Sequence, residues 1–227
     1  MILNTLTRTE KLGYSFLILI FGLGIYYANT NFTYFDEVYT MEDGFAEYGT
    51  SILLFCSSIL LFSRFIKLFK FNTIYWKIGV FLMATVFLFG AGEEISWGQR
   101  IFNVESSTYF LENNAQGETN LHNMVVDGTK INKLIFSQLL TLILIIYLII
   151  TPILYRKYDF IKNLADSFAV PIVQWHHTIA FLTATGLLTF IPSNRKWELY
   201  ELAFGVIFFL IFLNPLNKNI YKATSKA

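Results

Sequence analysis

Six stretches of the chain are apolar along nearly their whole length, at residues 12–28, 45–65, 76–92, 134–155, 170–191 and 197–213. A membrane-crossing helix needs about 20 mostly apolar residues. The pattern therefore predicts an all-α polytopic bundle of six transmembrane helices in a single membrane-embedded domain, 1–227. The longest polar stretch, 93–133, is expected to be a loop with a short helix in it. Four prolines punctuate the later helices. Pro152 falls near the end of the fourth, Pro171 at the start of the fifth, and Pro192 and Pro215 just past the fifth and sixth. Proline suits helix starts and disrupts helix interiors, which fits these boundaries. The first apolar block is longer than a signal-peptide core and has no small-residue cleavage site after it, so it reads as a retained helix.

Charge sets the expected orientation. With both termini in the cytoplasm, 12 of the 17 basic residues fall inside and 13 of the 16 acidic residues fall outside. Basic residues flanking the helices determine topology, whereas acids contribute little to it. The gathering of acids on one face therefore needs another reason.

Composition narrows the function classes. The 227 residues are 55% hydrophobic and only 15% charged, against about 25% charged in a soluble domain. A soluble enzyme and a nucleic-acid binder are excluded; no basic surface exists for phosphate backbones. One cysteine, Cys56, excludes an internal disulfide and a cysteine-based zinc site.

Ionisable residues inside membrane helices are costly and mark functional sites by default. Four patches qualify, each at the outer end of a helix. The first holds Asp43, read as the N-cap of the second helix, and Glu47 one turn deeper. The second is Glu93-Glu94-Ile95-Ser96-Trp97-Gly98-Gln99-Arg100, closing the third helix. If that helix continues, Glu93, Ser96, Trp97 and Arg100 share a side, and a Glu93–Arg100 pair ties its end to the loop. Two glutamates at a helix C-terminus oppose the macrodipole, so compensation by Arg100 or a bound cation is expected. The third is Glu118-Thr119-Asn120-Leu121-His122-Asn123, where a helix would bring Glu118 and His122 together. The fourth puts Glu198 and Glu201 at the start of the sixth helix. His176 and His177 are expected at the opposite, cytoplasmic surface, as part of an interfacial belt with Trp175.

The runs Gly92-Glu93-Glu94-Ile95-Ser96-Trp97-Gly98-Gln99-Arg100 and Asn120-Leu121-His122-Asn123, with Glu42-Asp43-Gly44 upstream, resemble those of a group of uncharacterised bacterial integral membrane proteins. The resemblance implies a bacterial inner-membrane location and supplies no activity.

Many acids with one imidazole suit a divalent ion such as Mg²⁺, Mn²⁺ or Ca²⁺, or iron. The expected cofactor is therefore a divalent metal ion, with Glu47, Glu94, Glu118, His122 and Glu201 as ligands. The expected catalytic residues are Glu93, Glu94, His122 and Arg100, with Trp97, Gln99, Asn120 and Asn123 contacting substrate. On this reading the protein is a metal-dependent hydrolase or transferase at the outer membrane boundary, working on a lipid-linked or envelope substrate. Two alternatives stand beside it. One is a non-catalytic assembly or binding subunit with a partner membrane protein. The other is a cation or proton transporter or channel. Against the latter, no charged residue falls at mid-membrane.

Overall fold

The computed structural model describes residues 6–121, 123–126, 129–130 and 139–223. They are almost entirely helical. Six principal helices follow in chain order: α1 (Arg8–Thr30), α2 (Phe45–Leu68), α3 (Ile74–Glu94), α4 (Leu140–Lys157, including a π turn), α5 (Trp175–Leu187) and α6 (Lys196–Leu213). Shorter helical pieces cover Gln99–Phe102, Thr108–Asn113 and Asp159–Ser167. A two-residue antiparallel pair joins Val125–Val126 to Thr129–Lys130.

Four segments are long and apolar enough to cross a membrane: Arg8–Thr30, Phe45–Phe71, Ile74–Glu94 and Leu140–Lys157. Their outer faces are apolar and open, with Leu12, Ile18, Ile66 and Val86 all more than 60% exposed. A water-soluble monomer rarely exposes so continuous an apolar surface. The other two helices are not among these segments, although the sixth, Lys196–Leu213, keeps the expected bounds. The fifth starts at Trp175 rather than at residue 170, because the non-helical chain at 170–173 is tied to the chain beyond α6. The Ile172 amide donates to Asn217 Oδ1 at 2.8 Å, and the Leu216 amide donates to the Ile172 carbonyl at 2.7 Å. The sixth carries Lys196, Glu198 and Glu201 in its first turns. The expected start of the fourth helix, at 134–138, lies outside the described residues.

α6 is the axis of the bundle. Leu199, Leu202, Ala203, Val206, Ile207, Leu210, Ile211 and Phe212 are all buried, and its least covered face, Trp197, Phe204 and Phe208, is half-buried beyond the exposed Trp197. It packs on α1, α2 and α5. Small residues permit this: a Cβ on Gly24 would come within 2.6 Å of Leu199, and one on Gly49 within 2.9 Å of Leu202.

Between apolar helices, buried hydroxyls supply the directional contacts. Ser51 Oγ donates to the Ala91 carbonyl and Ser58 Oγ to the Ala84 carbonyl, each at 2.8 Å, so the two bonds stitch α2 to α3 two turns apart. In α4, Pro152 has no N–H to give the Leu148 carbonyl. The preceding turn widens to π form, with the Thr151 amide bonding Ile146. Thr178 Oγ1 of α5 takes up the orphaned Leu148 carbonyl at 2.9 Å. The proline thus creates the acceptor that fixes α5 against α4.

After α1 the chain turns back into the bundle, and Phe35 is fully buried there. Tyr39 donates its hydroxyl to the Ile20 carbonyl at 2.8 Å. Burial pushes that hydroxyl up to about 12, which keeps it protonated as a donor.

The helix Asp159–Ser167 was not evident from the apolar pattern. Its end lies against α3 so closely that a Cβ on Gly79 would sit 1.8 Å from the Phe168 carbonyl oxygen. Gly79→Ala is expected to destabilise the protein by about 1–3 kcal/mol, because backbone must move. Gly22→Ala, in open space on α1, should be neutral or stabilising. Thermal unfolding in detergent separates the two; equal melting temperatures would contradict the close approach.

Candidate functional site

Polar residues concentrate at both ends of the bundle. The starts of α2 and α6 and the end of α3 meet at one end, called here the acidic end. Glu47 stands in the first turn of α2, Glu94 is the last residue of α3, and Glu198 and Glu201 occupy the first turns of α6. Glu94 lies in electrostatic range of Glu198, Glu47 and Glu93, and Glu201 in range of Glu94, Glu198 and Glu47. Among the described residues, Glu94, Glu198 and Glu201 have no ion pair to a basic side chain. Arg195 and Arg100 act on the rim of the group, through Glu198 and Glu47 respectively. Four carboxylates at this range repel one another when ionised, so they call for a cation or for shared protons.

The start of α2 differs from expectation. Gly44, not Asp43, holds the N-cap position. Asp43 adopts a left-handed backbone (φ 54°), and its amide donates to Glu47 Oε2 at 2.6 Å. The Asp43 carboxylate is thereby free to pair with Arg100.

Above the acids, the chain from Ser96 to Leu121, together with Asn123, forms a polar cap. α3 does not continue through it. Ser96, Trp97 and Gly98 are all left-handed (φ 46°, 56° and 77°), which stops the helix at Glu94 and turns the chain sharply. Left-handed backbone costs roughly 1–2 kcal/mol per non-glycine residue. Side-chain bonds offset that cost. Trp97 Nε1 folds back to donate to Glu93 Oε1 at 2.8 Å, and the Leu121 amide donates to Glu93 Oε2 at 2.6 Å. Ser96 Oγ donates to Glu118 Oε2 at 2.6 Å, and Asn120 Nδ2 donates to the same oxygen at 2.9 Å. Bonds to charged groups contribute about 1.5–3 kcal/mol each. Arg100 pairs with both Asp43 and Glu118, which joins the cap to the start of α2.

The residues expected to contact substrate serve this cap. Gln99 donates to Ser106 Oγ and accepts from the Thr119 amide, both at 2.7 Å. Asn120 accepts at Oδ1 from Asn114 and from the Asn123 amide, each at 3.0 Å, and Asn123 Nδ2 donates to Gln116. Trp97 alone of the four keeps an exposed ring, set edge-on to Phe89. Of the expected metal ligands, Glu47, Glu94 and Glu201 form one group with Glu198, while Glu118 belongs to the cap. Glu118 lies in irregular chain. His122 itself lies outside the described residues.

A second polar group, which the sequence pattern did not bring together, fills the opposite end. Glu10, in the first turn of α1, is 1% exposed, and His177, in the first turn of α5, is fully buried. Glu10 Oε2 accepts from the Thr7 amide at 2.7 Å and the Thr7 hydroxyl at 2.8 Å. Glu10 Oε1 accepts from Asn214 Nδ2, at the end of α6, at 3.0 Å. The Nε2 atoms of His176 and His177 stand 3.5 and 3.6 Å from that same oxygen. Among the described residues, these three are the one group of acids, histidines or cysteines with ligand atoms all within 4.8 Å of one another. The local signal was present in Thr7-x-x-Glu10, a capping box that starts α1 a turn before its apolar run. Nothing local announces its histidine partners.

No known family, curated protein or solved structure matches the chain.

Asn120→Ala removes the donor shared by Ser96 and Glu118 and leaves buried groups without it. It is expected to cost about 1–3 kcal/mol and to open 96–123 to protease. Unchanged melting and unchanged proteolysis would show that the cap does not depend on this network.

Proposed function

We propose that the chain is a six-helix bacterial inner-membrane protein with both termini cytoplasmic, whose acidic end binds a divalent cation and uses it to hydrolyse or transfer a group on a lipid-linked or envelope substrate. The observation that carries the reading is the convergence of Glu47, Glu94, Glu198 and Glu201 from three helices, with arginines only at the rim. Carboxylate oxygens are the ligands of choice for Mg²⁺, Mn²⁺ and Ca²⁺. A cation held there neutralises the group, polarises a substrate oxygen and activates water. Glu94 and Glu201, with Glu47, serve as its oxygen donors by drawing closer around it, because no three of these carboxylates have ligand atoms all within 4.8 Å of one another. Arg100 and Arg195, both partly exposed, suit an anionic substrate group. The open Trp97 ring suits an apolar or lipid portion at the membrane interface. His122 is the acid–base candidate, and Glu93 binds the chain at the neighbouring Leu121 amide.

The completeness of the cap favours a second reading. Glu93, Glu118, Gln99, Asn120 and Asn123 spend their bonds within the chain, as in a rigid outer surface presented to a partner membrane protein. Cation dependence separates the readings.

Titration of Mn²⁺ into detergent-solubilised protein is expected to show saturable binding. Glu94→Gln and Glu201→Gln should weaken it at least tenfold, while Glu118→Gln leaves it nearly unchanged. No binding, or equal binding in all variants, would turn the reading to the assembly subunit. Topology has its own check. In a Cys56→Ser background, a cysteine at Thr108 should label from outside intact cells and one at Asn72 should not; the reverse pattern would invert the orientation.

A further inference from the structure

We propose that Glu10, His176 and His177 form a three-ligand site for a divalent transition metal of the zinc class, at the end of the bundle opposite the acids. The site is independent of the function proposed above. Glu198 and Asn214 mark the two ends of α6, and the 16 steps of chain from one to the other rise about 24 Å.

The distances carry the argument. Hydrogen bonds from nitrogen to oxygen fall at about 2.7–3.2 Å. The two histidine nitrogens stand at 3.5 and 3.6 Å from Glu10 Oε1, too long for good hydrogen bonds. Ligands about 2.0–2.1 Å from a tetrahedral zinc lie about 3.3–3.4 Å from each other, close to what is observed. His177 Nε2 is buried and has no hydrogen-bond partner among the described residues. The two rings converge on the carboxylate, with centroids 4.1 Å apart.

Charge points the same way. Glu10 is buried, and no lysine or arginine among the described residues pairs with it. A buried carboxylate without a cation is expensive. A dication between Glu10 and two neutral imidazoles removes that cost. One carboxylate and two imidazoles also match the ligand preference of zinc and of its Co²⁺ substitute.

The surrounding residues orient two of the three ligands. Thr7 and Asn214 fix the Glu10 carboxylate, as hydrogen-bonded carboxylate ligands are fixed. The Tyr14 hydroxyl lies 2.8 Å from His176 Nδ1, so that nitrogen can hold its proton against the hydroxyl while Nε2 faces the metal. His177 must adjust. Its Nδ1 accepts the Gln174 amide at 3.3 Å, so its neutral ring carries the proton on Nε2. Ligation moves that proton to Nδ1 and gives up the long Gln174 bond. Three protein ligands leave a fourth position open, and the partly accessible His176 is its side of approach.

The competing account is a hydrogen-bonded knot. In it the Glu10 charge rests on Thr7, Asn214 and the positive N-terminal end of α5.

Elemental analysis and Co²⁺ loading of the intact protein in detergent distinguish the two. The expected result is about one equivalent of zinc, or of Co²⁺ with the visible absorption of a tetrahedral site. Mg²⁺ should not displace it. Chelation should lower the melting temperature. His176→Gln and His177→Gln should each weaken binding at least tenfold. Glu10→Gln should do the same, and His176→Gln, at the more accessible ring, gives the test if Glu10→Gln fails to fold. No metal and no Co²⁺ absorption, or full binding in folded His176→Gln and His177→Gln, would overturn the site and leave the knot.

Discussion

The near-complete burial of α6, with no open residue between Glu198 and Phe212, is the constraint from which the rest of the architecture follows. A helix so largely covered must be surrounded, so α1, α2 and α5 pack on it, α1 and α2 approaching through Gly24 and Gly49. A surrounded helix must also have its polar ends answered from within the bundle. Glu198 and Glu201 at one end meet Glu47 and Glu94, whereas Asn214 at the other meets Glu10. Both polar groups of the molecule are therefore consequences of one central rod. The chemistry at its ends differs because the neighbours differ: carboxylates at one, imidazoles at the other.

The cap shows how backbone strain and side-chain bonding are coupled. Ser96 and Trp97 hold left-handed conformations that an ordinary residue avoids, and each is anchored by a carboxylate, Glu118 and Glu93 respectively. The turn places Arg100 where it reaches both Asp43 and Glu118. Had α3 run on, Ser96 and Arg100 would have followed its face out toward solvent. The turn instead folds the chain over the acids and keeps the exposed Trp97 ring at the rim.

Much of this was legible in the sequence. Long apolar runs identify helices with little ambiguity, and the acids do collect at helix ends that meet. What was not legible has physical causes. The apolar, proline-containing segment at 170–173 resembles a helix start, but Asn217, 45 residues away, captures the Ile172 amide. The helix Asp159–Ser167 is short and amphipathic, so no long apolar run reveals it. Left-handed backbone at Ser96 depends on Glu118 and Asn120, more than 20 residues further on, and Trp97 leans on Glu93, which is itself bonded by the Leu121 amide 28 residues away. The cluster of Glu10 with His176 and His177 joins residues some 166 positions apart, and each alone looks like an ordinary flanking polar residue. Sequence pattern reports what a segment does with lipid; it does not report which distant side chain it meets.

The bond between Glu10 and Asn214 closes the longest loop in the network, 204 residues of chain. Polypeptide emerges from the ribosome at about 5–20 residues per second, so Asn214 is made about 10–40 s after Glu10. Throughout that interval the first helix carries a carboxylate whose permanent partners do not yet exist. Thr7 serves it locally from the outset, because the capping box closes within one turn. The capping box thus shelters from the outset a charge whose full setting arrives with the last helix, and the packing of α6 into the bundle is the event that completes both ends at once.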